Sequence, residues 1–222
     1  LADVLTFDAA PETIFQASQI TVRRGSEALF EGLSFAVQRG QLVWLRGANG
    51  SGKTSLLRTI AGLSRPDAGE ISWVGQATDD GEDSPWNSRL VYLGHSNGLK
   101  DDLTAMESLQ FLANLHGRDS SASAAQSAMQ RLGVNHRRHL PVRTLSQGQR
   151  KRVALARLAL ETDPLLWVLD EPLDALDDVG ITTVQSLIRE HVVRGGAVLM
   201  TSHIPVELEG IATKVLMLER AA

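Results

Sequence analysis

Two clusters of residues in this chain have the types and spacing to do chemistry, one on an anion and the other on a cation and a water. The first reads Gly47-Ala48-Asn49-Gly50-Ser51-Gly52-Lys53-Thr54, the pattern G-x-x-x-x-G-K-[ST], with Ser55 directly after it. Glycines at these intervals let the backbone curl, so that successive N–H groups converge on one point. A helix opening at Lys53 adds the positive end of its dipole there. Such a cradle suits the phosphates of a nucleotide: Lys53 reaches the β- and γ-phosphates, and the Thr54 hydroxyl is placed as a ligand to Mg²⁺. At average residue frequencies the pattern arises by chance in about one chain of this size in a hundred. The alternative, a Gly-rich turn carrying a stray lysine, is weakened further by the flanks. The apolar run Leu42-Val43-Trp44-Leu45 precedes the pattern, and a helical stretch from Ser55 to Ala61 follows it.

The second cluster is Asp170-Glu171, at the end of the apolar run Leu165-Leu166-Trp167-Val168-Leu169. A parallel strand delivers its C-terminal residues to the crevice where nucleotides bind. Asp170 is then placed to hold Mg²⁺, directly or through water. Glu171 is placed to take a proton from an attacking water. Acidic pairs at strand ends also form plain salt bridges; the cradle upstream favours the chemical reading. Between the two clusters, Leu145-Ser146-Gln147-Gly148-Gln149 opens a strongly patterned helix, Gln149 to Leu160. Ser146 is a good N-cap, and Gly148 lets the backbone come close to a ligand.

The elements that must position these clusters are legible in outline. Ser18 to Val22 and Leu33 to Val37 have β character, with a turn at Arg24-Gly25-Ser26. Leu42–Leu45, Leu165–Leu169 and Ala197-Val198-Leu199-Met200 are short and wholly apolar, as expected of parallel strands buried on both faces. Glu70–Val74 and Lys214–Leu218 complete the strands, and residues 1 to about 12 read as a loose tail. The helix after the cradle should stop near Gly62, with Pro66 beyond it. Ala77–Ser88 is polar and acidic and reads as a solvated loop, as does His136-Arg137-Arg138-His139. Thr104-x-x-Glu107 is a capping box before the stripe Met106, Leu109, Leu112 and Ala113. Ser120–Leu132 should form a second helix of that stretch, ending at Gly133, and a further helix, Ile181–Val193, should lie between the last two apolar runs. The pattern is an α/β parallel-sheet core interrupted by a mostly helical segment.

Bulk properties narrow the partners. The chain has 222 residues, enough for one large domain or two lobes with a sizeable core, and a net charge of −4 with no global basic field for nucleic acid. It has no cysteine, which removes disulfides, thiol catalysis and thiolate metal sites and suits a reducing compartment. No stretch is long and apolar enough for a membrane span, and Leu1–Thr13 lacks the basic start and apolar core of a signal peptide. Any membrane role is therefore expected to come through a partner.

The cradle, the Leu-Ser-Gln-Gly-Gln pentapeptide and the Asp-Glu pair, in this order, resemble an ATP-binding-cassette (ABC) ATPase. The resemblance implies a P-loop NTPase of the ABC ATPase fold, with a parallel-sheet core, an antiparallel β portion and an inserted helical lobe. It implies a single ABC ATP-binding domain over 1–222, with about 1–94 and 161–222 as the catalytic core lobe and about 95–160 as the helical signature lobe. The implied cofactors are ATP, cradled by Gly47 through Ser55, and Mg²⁺. In that family the pentapeptide is usually Leu-Ser-Gly-Gly-Gln and binds the γ-phosphate of ATP held by the other subunit. Ser146, Gln147, Gly148 and Gln149 inherit that role, with Gln147 at a position expected to carry a side chain without loss of function. Asp174-Ala175-Leu176-Asp177 looks like the D-loop that crosses the dimer interface. His203, after Met200-Thr201-Ser202, matches the switch histidine that bridges the γ-phosphate and the water.

Two positions depart from the general pattern. The aromatic residue that stacks on adenine aligns near Arg24, whose guanidinium plane can stack on a base less strongly, so weak adenine selectivity is expected. The Q-loop glutamine, which touches Mg²⁺ and faces the membrane partner, is replaced by His95; imidazole can coordinate only when neutral, so acid should weaken that contact.

Tyr92-Leu93-Gly94-His95, Gly98-Leu99-Lys100, Leu103-Thr104-Ala105, Pro141-Val142, Arg152-Val153-Ala154-Leu155-Ala156-Arg157-Leu158 and Leu29-Phe30-x-Gly32-Leu33-Ser34-Phe35 are similar to CcmA, the haem-exporter ATPase family of cytochrome c maturation. That resemblance covers about residues 15–218. It implies a homodimer closed over two ATP sites, a separate CcmB-like integral membrane subunit, and a peripheral place on the cytoplasmic face of the inner membrane. It further implies that hydrolysis drives release of the haem-loaded chaperone CcmE. The competing expectations are an ABC exporter of other cargo and a soluble ABC switch acting on a cytosolic assembly.

Overall fold

The computed structural model describes residues 12–73, 90–161, 166–206 and 208–220. The expected tail up to residue 11, the Ala77–Ser88 loop, Val74 and Leu165 lie outside the described residues. Strands β1 (Thr13–Arg24), β2 (Glu27–Gln38), β3 (Leu42–Arg46), β4 (Ala68–Trp73), β5 (Leu90–Leu93), β6 (Leu166–Leu169), β7 (Ala197–Thr201) and β8 (Thr213–Met217) form two sheets. An antiparallel sheet has the order β2-β1-β4, and a five-stranded sheet has the order β5-β6-β7-β3-β8. Every pairing in the larger sheet is parallel. The helices are α1 (Lys53–Ile60), α2 (Ala105–Leu115), α3 (Ala122–Arg131), α4 (Gln147–Ala156) and α5 (Asp178–Val193).

The parallel strands read as continuous apolar runs because both their faces are covered. Leu166 and Val168 of β6, with Ala197 and Leu199 of β7, point to one side. There they meet Leu56, Leu57 and Ile60 of α1 and the apolar face of the antiparallel sheet. Trp167 and Leu169, with Val198 and Met200, point to the other side, against Leu109, Met129, Val153, Leu155 and Ile188. The parallel sheet is therefore the middle layer, with α2 to α5 on one face.

The antiparallel strands are longer than their apolar cores suggest. In β1 the buried positions run Phe15 and Ala17, then Ile20 and Val22, so the alternation slips between Ala17 and Ile20. The register against β2 shifts there, and Gln19 adopts φ 52°. An extra bulged residue restores the same inward face after the slip.

Helix starts follow their caps. Thr104 Oγ1 accepts from Glu107 N–H at 3.2 Å while Glu107 Oε2 accepts from Thr104 N–H at 2.9 Å, the expected capping box. The helix after the pentapeptide starts two residues earlier than its apolar pattern, at Gln147, and its last turn, Arg157–Leu160, is a 3₁₀ helix. Residues 136–139 are not a simple solvated loop. Asn135–Arg137 form a 3₁₀ turn, and Met106 N–H donates to the Arg138 carbonyl at 3.0 Å, which ties the segment to α2.

Candidate functional site

Because the strands of the larger sheet are parallel, the segments leaving β3, β5, β6 and β7 emerge at one edge. The cradle follows β3, His95 follows β5, Asp170-Glu171 follow β6, and His203 follows β7. They meet at a cleft of about 780 Å³ lined by Arg24, Asn49, Lys53, Thr54, His95, Asp170, Glu171 and His203.

The cradle is tight. A Cβ on Gly47 would stand 2.5 Å from the Leu218 carbonyl and 2.7 Å from Ser51 Oγ, so only glycine fits. Gly52, at φ 97°, caps α1 without a side chain and leaves the first amides of the helix facing the cleft. Ser51 Oγ is buried with no hydrogen-bond partner. The Lys53 ammonium donates to the carbonyls of Gly47 at 2.8 Å and Ala48 at 3.1 Å, across the mouth of the loop. Orphan amides, an orphan hydroxyl and a lysine at one concavity fit a polyphosphate.

Asp170 is 3% exposed and accepts two hydroxyl hydrogen bonds, from Thr54 Oγ1 and Thr201 Oγ1, each at 2.9 Å. The Thr54 hydroxyl and this carboxylate are oxygen donors of the kind a hard cation takes. No group of three or more His, Cys, Asp or Glu that could hold a metal occurs among the described residues. A magnesium ion held by few protein oxygens, with phosphate and water supplying the rest, matches that donor set.

Glu171 is fastened at several atoms. It has φ 48°, rare for a residue with a Cβ. Its N–H donates to Thr201 Oγ1 at 2.9 Å, its carbonyl accepts from Lys151 Nζ at 2.8 Å, and its Oε2 accepts from His203 N–H at 3.1 Å. Burial pushes its carboxyl above the usual range, and the His203 ring nearby pulls it partly back. A carboxylate with raised basicity at a cleft wall can act as a general base.

The pentapeptide is elsewhere. Ser146, Gln147, Gly148 and Gln149 are not among the residues lining the cleft. Ser146 and Gln149 form a capping box at the head of α4, with Ser146 Oγ accepting from Gln149 N–H at 3.2 Å. Gly148 also meets a need within its own chain, since a Cβ there would stand 2.8 Å from the Ala175 carbonyl. Ala175 itself has φ 61°. Arg24 lines the cleft beside Val22 and Leu29.

Sequence reasoning missed Arg58, Arg65 and Asp67, which also line the cleft. Asp67 Oδ2 accepts from Arg23 N–H at 2.7 Å and so anchors the end of β1. These residues belong to no short motif: Arg58 comes in on α1, which follows the cradle, while Arg65 and Asp67 precede β4, which its pairing with β1 places beside the cleft.

The ABC transporter family profile matches residues 30–174. The cytochrome c biogenesis ATP-binding export protein CcmA of Nitrosospira multiformis is 46% identical over 200 residues, covering 90% of this chain and 96% of that protein. A solved ATP-binding subunit of an ABC transporter superposes with a TM-score of 0.78 at 25% identity, over 93% of this chain and 86% of its own. A dimeric post-hydrolysis ATP-binding cassette bound to ADP and Pi, at 23% identity, shares the fold with a TM-score of 0.75 over 86% of this chain and 88% of its own. These likenesses agree with the expected parallel core, antiparallel portion and helical additions. No helix among the described residues is long and apolar enough to cross a membrane.

Proposed function

The chain belongs to the ABC transporter family of ATP-binding domains, in its CcmA branch, and on that premise we propose that it is the ATP-hydrolysing subunit of an exporter serving cytochrome c biogenesis. The observation that carries the reading is a split site. Lys53, the Thr54–Asp170 pair, Glu171 and His203 converge on one cleft, while Ser146 to Gln149 take no part in lining it.

In this reading the amides of Gly47 to Ser55 and the Lys53 ammonium bind the β- and γ-phosphates. Thr54 and Asp170, with His95 at the same cleft, hold Mg²⁺, which screens the phosphate charge when bound. Glu171 polarises the attacking water, and His203 orients both that water and the Glu171 carboxylate. Catalysis is mainly positioning and electrostatic stabilisation. Arg24 lies along the base, with the weaker stacking of a guanidinium plane.

The pentapeptide completes the site of a second copy. Two chains packed head to tail would each offer Ser146 and Gly148 to the nucleotide held by the other's Lys53, giving a closed two-fold dimer. ATP favours that closed state by its differential affinity, and loss of the γ-phosphate releases it. The segment of about 95–160 acts as the helical signature lobe, and residues 1–94 and 161–222 as the core lobe. The dimer docks, through this lobe, on a separate CcmB-like membrane subunit at the cytoplasmic face of the inner membrane. Hydrolysis then serves release of the haem-loaded chaperone CcmE.

The test is isolation of the native complex from membranes. The expected result is a co-purifying integral membrane subunit and Mg²⁺-dependent ATP hydrolysis. A chain recovered only with a cytosolic scaffold would overturn the exporter reading.

A further inference from the structure

We propose that Lys151 is a positioning residue for Glu171: its buried ammonium grips the Glu171 carbonyl and holds the peptide in the left-handed conformation that presents the carboxylate to the cleft. Lys151 is 5% exposed, and its Nζ donates to the Glu171 carbonyl oxygen at 2.8 Å. An ammonium taken out of water is costly unless it is paired and hydrogen-bonded. Its neighbours along α4 (Val153, Ala154, Leu155 and Ala156) are apolar and buried. An apolar side chain at 151 would serve packing equally well, so the charge calls for another reason.

That reason lies at Glu171. A side chain at φ 48° relaxes to ordinary backbone unless its surroundings prevent it. The Glu171 N–H is held by Thr201, and its carbonyl accepts from Lys151 Nζ at 2.8 Å and from the Asp174 N–H at a longer 3.3 Å. Together these bonds fix the peptide planes on both sides of Cα, the ammonium making the shorter bond to the carbonyl, and with them the direction of the side chain. The Thr201 bond comes from the sheet, whereas the Lys151 bond comes from α4, the helix capped by Ser146. A shift of that helix is therefore transmitted to the peptide that aims the carboxylate. Asp174, Asp170 and the Glu171 carboxylate itself supply negative charge around the same ammonium.

The proposal rests on the reading of Glu171 as the base that polarises water, and the experiment separates the two. Lys151→Met keeps the apolar stem and removes the ammonium. In single-turnover hydrolysis with the full chain in excess over Mg-ATP, we expect a rate about 10²-fold lower, the usual effect of a misplaced reacting group. ATP affinity should be unchanged, and Lys151→Arg should recover most of the rate. On a Glu171→Gln background, Lys151→Met should cost nothing further, because both act on one carboxylate.

Wild-type hydrolysis by Lys151→Met, or the same fractional loss on the Glu171→Gln background, overturns the proposal. Lost ATP affinity in Lys151→Met would signal a damaged fold, and Lys151→Gln then carries the same cycle. Wild-type hydrolysis by Glu171→Gln alone would instead remove the base reading, an outcome read from a different variant.

Discussion

His203 meets the Glu171 carboxylate twice: its backbone N–H donates to Oε2 at 3.1 Å, and its ring Nε2 stands 3.6 Å from Oε1. The two residues leave neighbouring parallel strands, β6 and β7, so the sheet fixes their approach. The ring is 62% exposed while the carboxylate is 12% exposed. The pair therefore places a shielded base beneath a group free to turn toward a ligand.

Replacing Glu171 by Gln should keep ATP binding and slow turnover roughly 10²–10⁴-fold, the range for a positioned base. The amide keeps the shape and an acceptor for the His203 N–H but cannot accept a proton. Hydrolysis of a pre-bound, radiolabelled nucleotide measures the step directly. A rate near wild type would remove Glu171 from the role.

The Glu171 site shows what the sequence could and could not say. Its place after a buried parallel strand was legible from Leu166–Leu169, because a strand covered on both faces must be apolar throughout. The left-handed φ and the Lys151 bond were not. Nothing in the run Arg150-Lys151-Arg152 marks one residue for burial, and only the packing of α4 shows that the middle one is enclosed. The bulge in β1 was legible in principle, since the buried set slips from Phe15 and Ala17 to Ile20 and Val22. A search for strict alternation finds only the second half. The Thr104–Glu107 box was read correctly because both partners lie within one turn. The Ser146–Gln149 box obeys the same local rule and needed only glutamine counted beside glutamate.

Lys53→Ala should abolish tight ATP binding. The ammonium now bridges the Gly47 and Ala48 carbonyls at 2.8 and 3.1 Å, so it is held at the mouth of the cradle and has only to swing onto a phosphate. Equilibrium binding of a fluorescent ATP analogue reports the loss. Unchanged affinity would mean that the cradle amides carry the phosphates without it.

The Glu107 carboxyl is held below its ordinary range, first by the Thr104 backbone N–H and then by the Thr104 hydroxyl. A lowered value means that the folded state favours the carboxylate, so the stabilisation is full above the ordinary glutamate range. It is lost as the pH falls through the lowered value. Glu107→Gln keeps the cap neutral. The Tm of wild type should exceed that of the variant at neutral pH, and the gap should close on acidification. A gap that widens in acid would contradict the sign. Removing the cap altogether in Thr104→Ala should cost about 1 kcal/mol.

Separate placement of Lys53 and Ser146 yields the sharpest test of a shared site. Neither Lys53→Ala nor Ser146→Arg chains should hydrolyse ATP alone, since each spoils both sites of a symmetric dimer. Mixed together and allowed to exchange, they form dimers in which one site draws an intact Lys53 from the second variant and an intact Ser146 from the first. The other site of the same dimer carries both defects. Random pairing makes half of the dimers mixed, so recovery should approach about a quarter of wild-type hydrolysis if the sites act independently. Complementation of this kind requires the two residues to come from different chains. A cleft completed within one chain would leave the mixture as inactive as its parts.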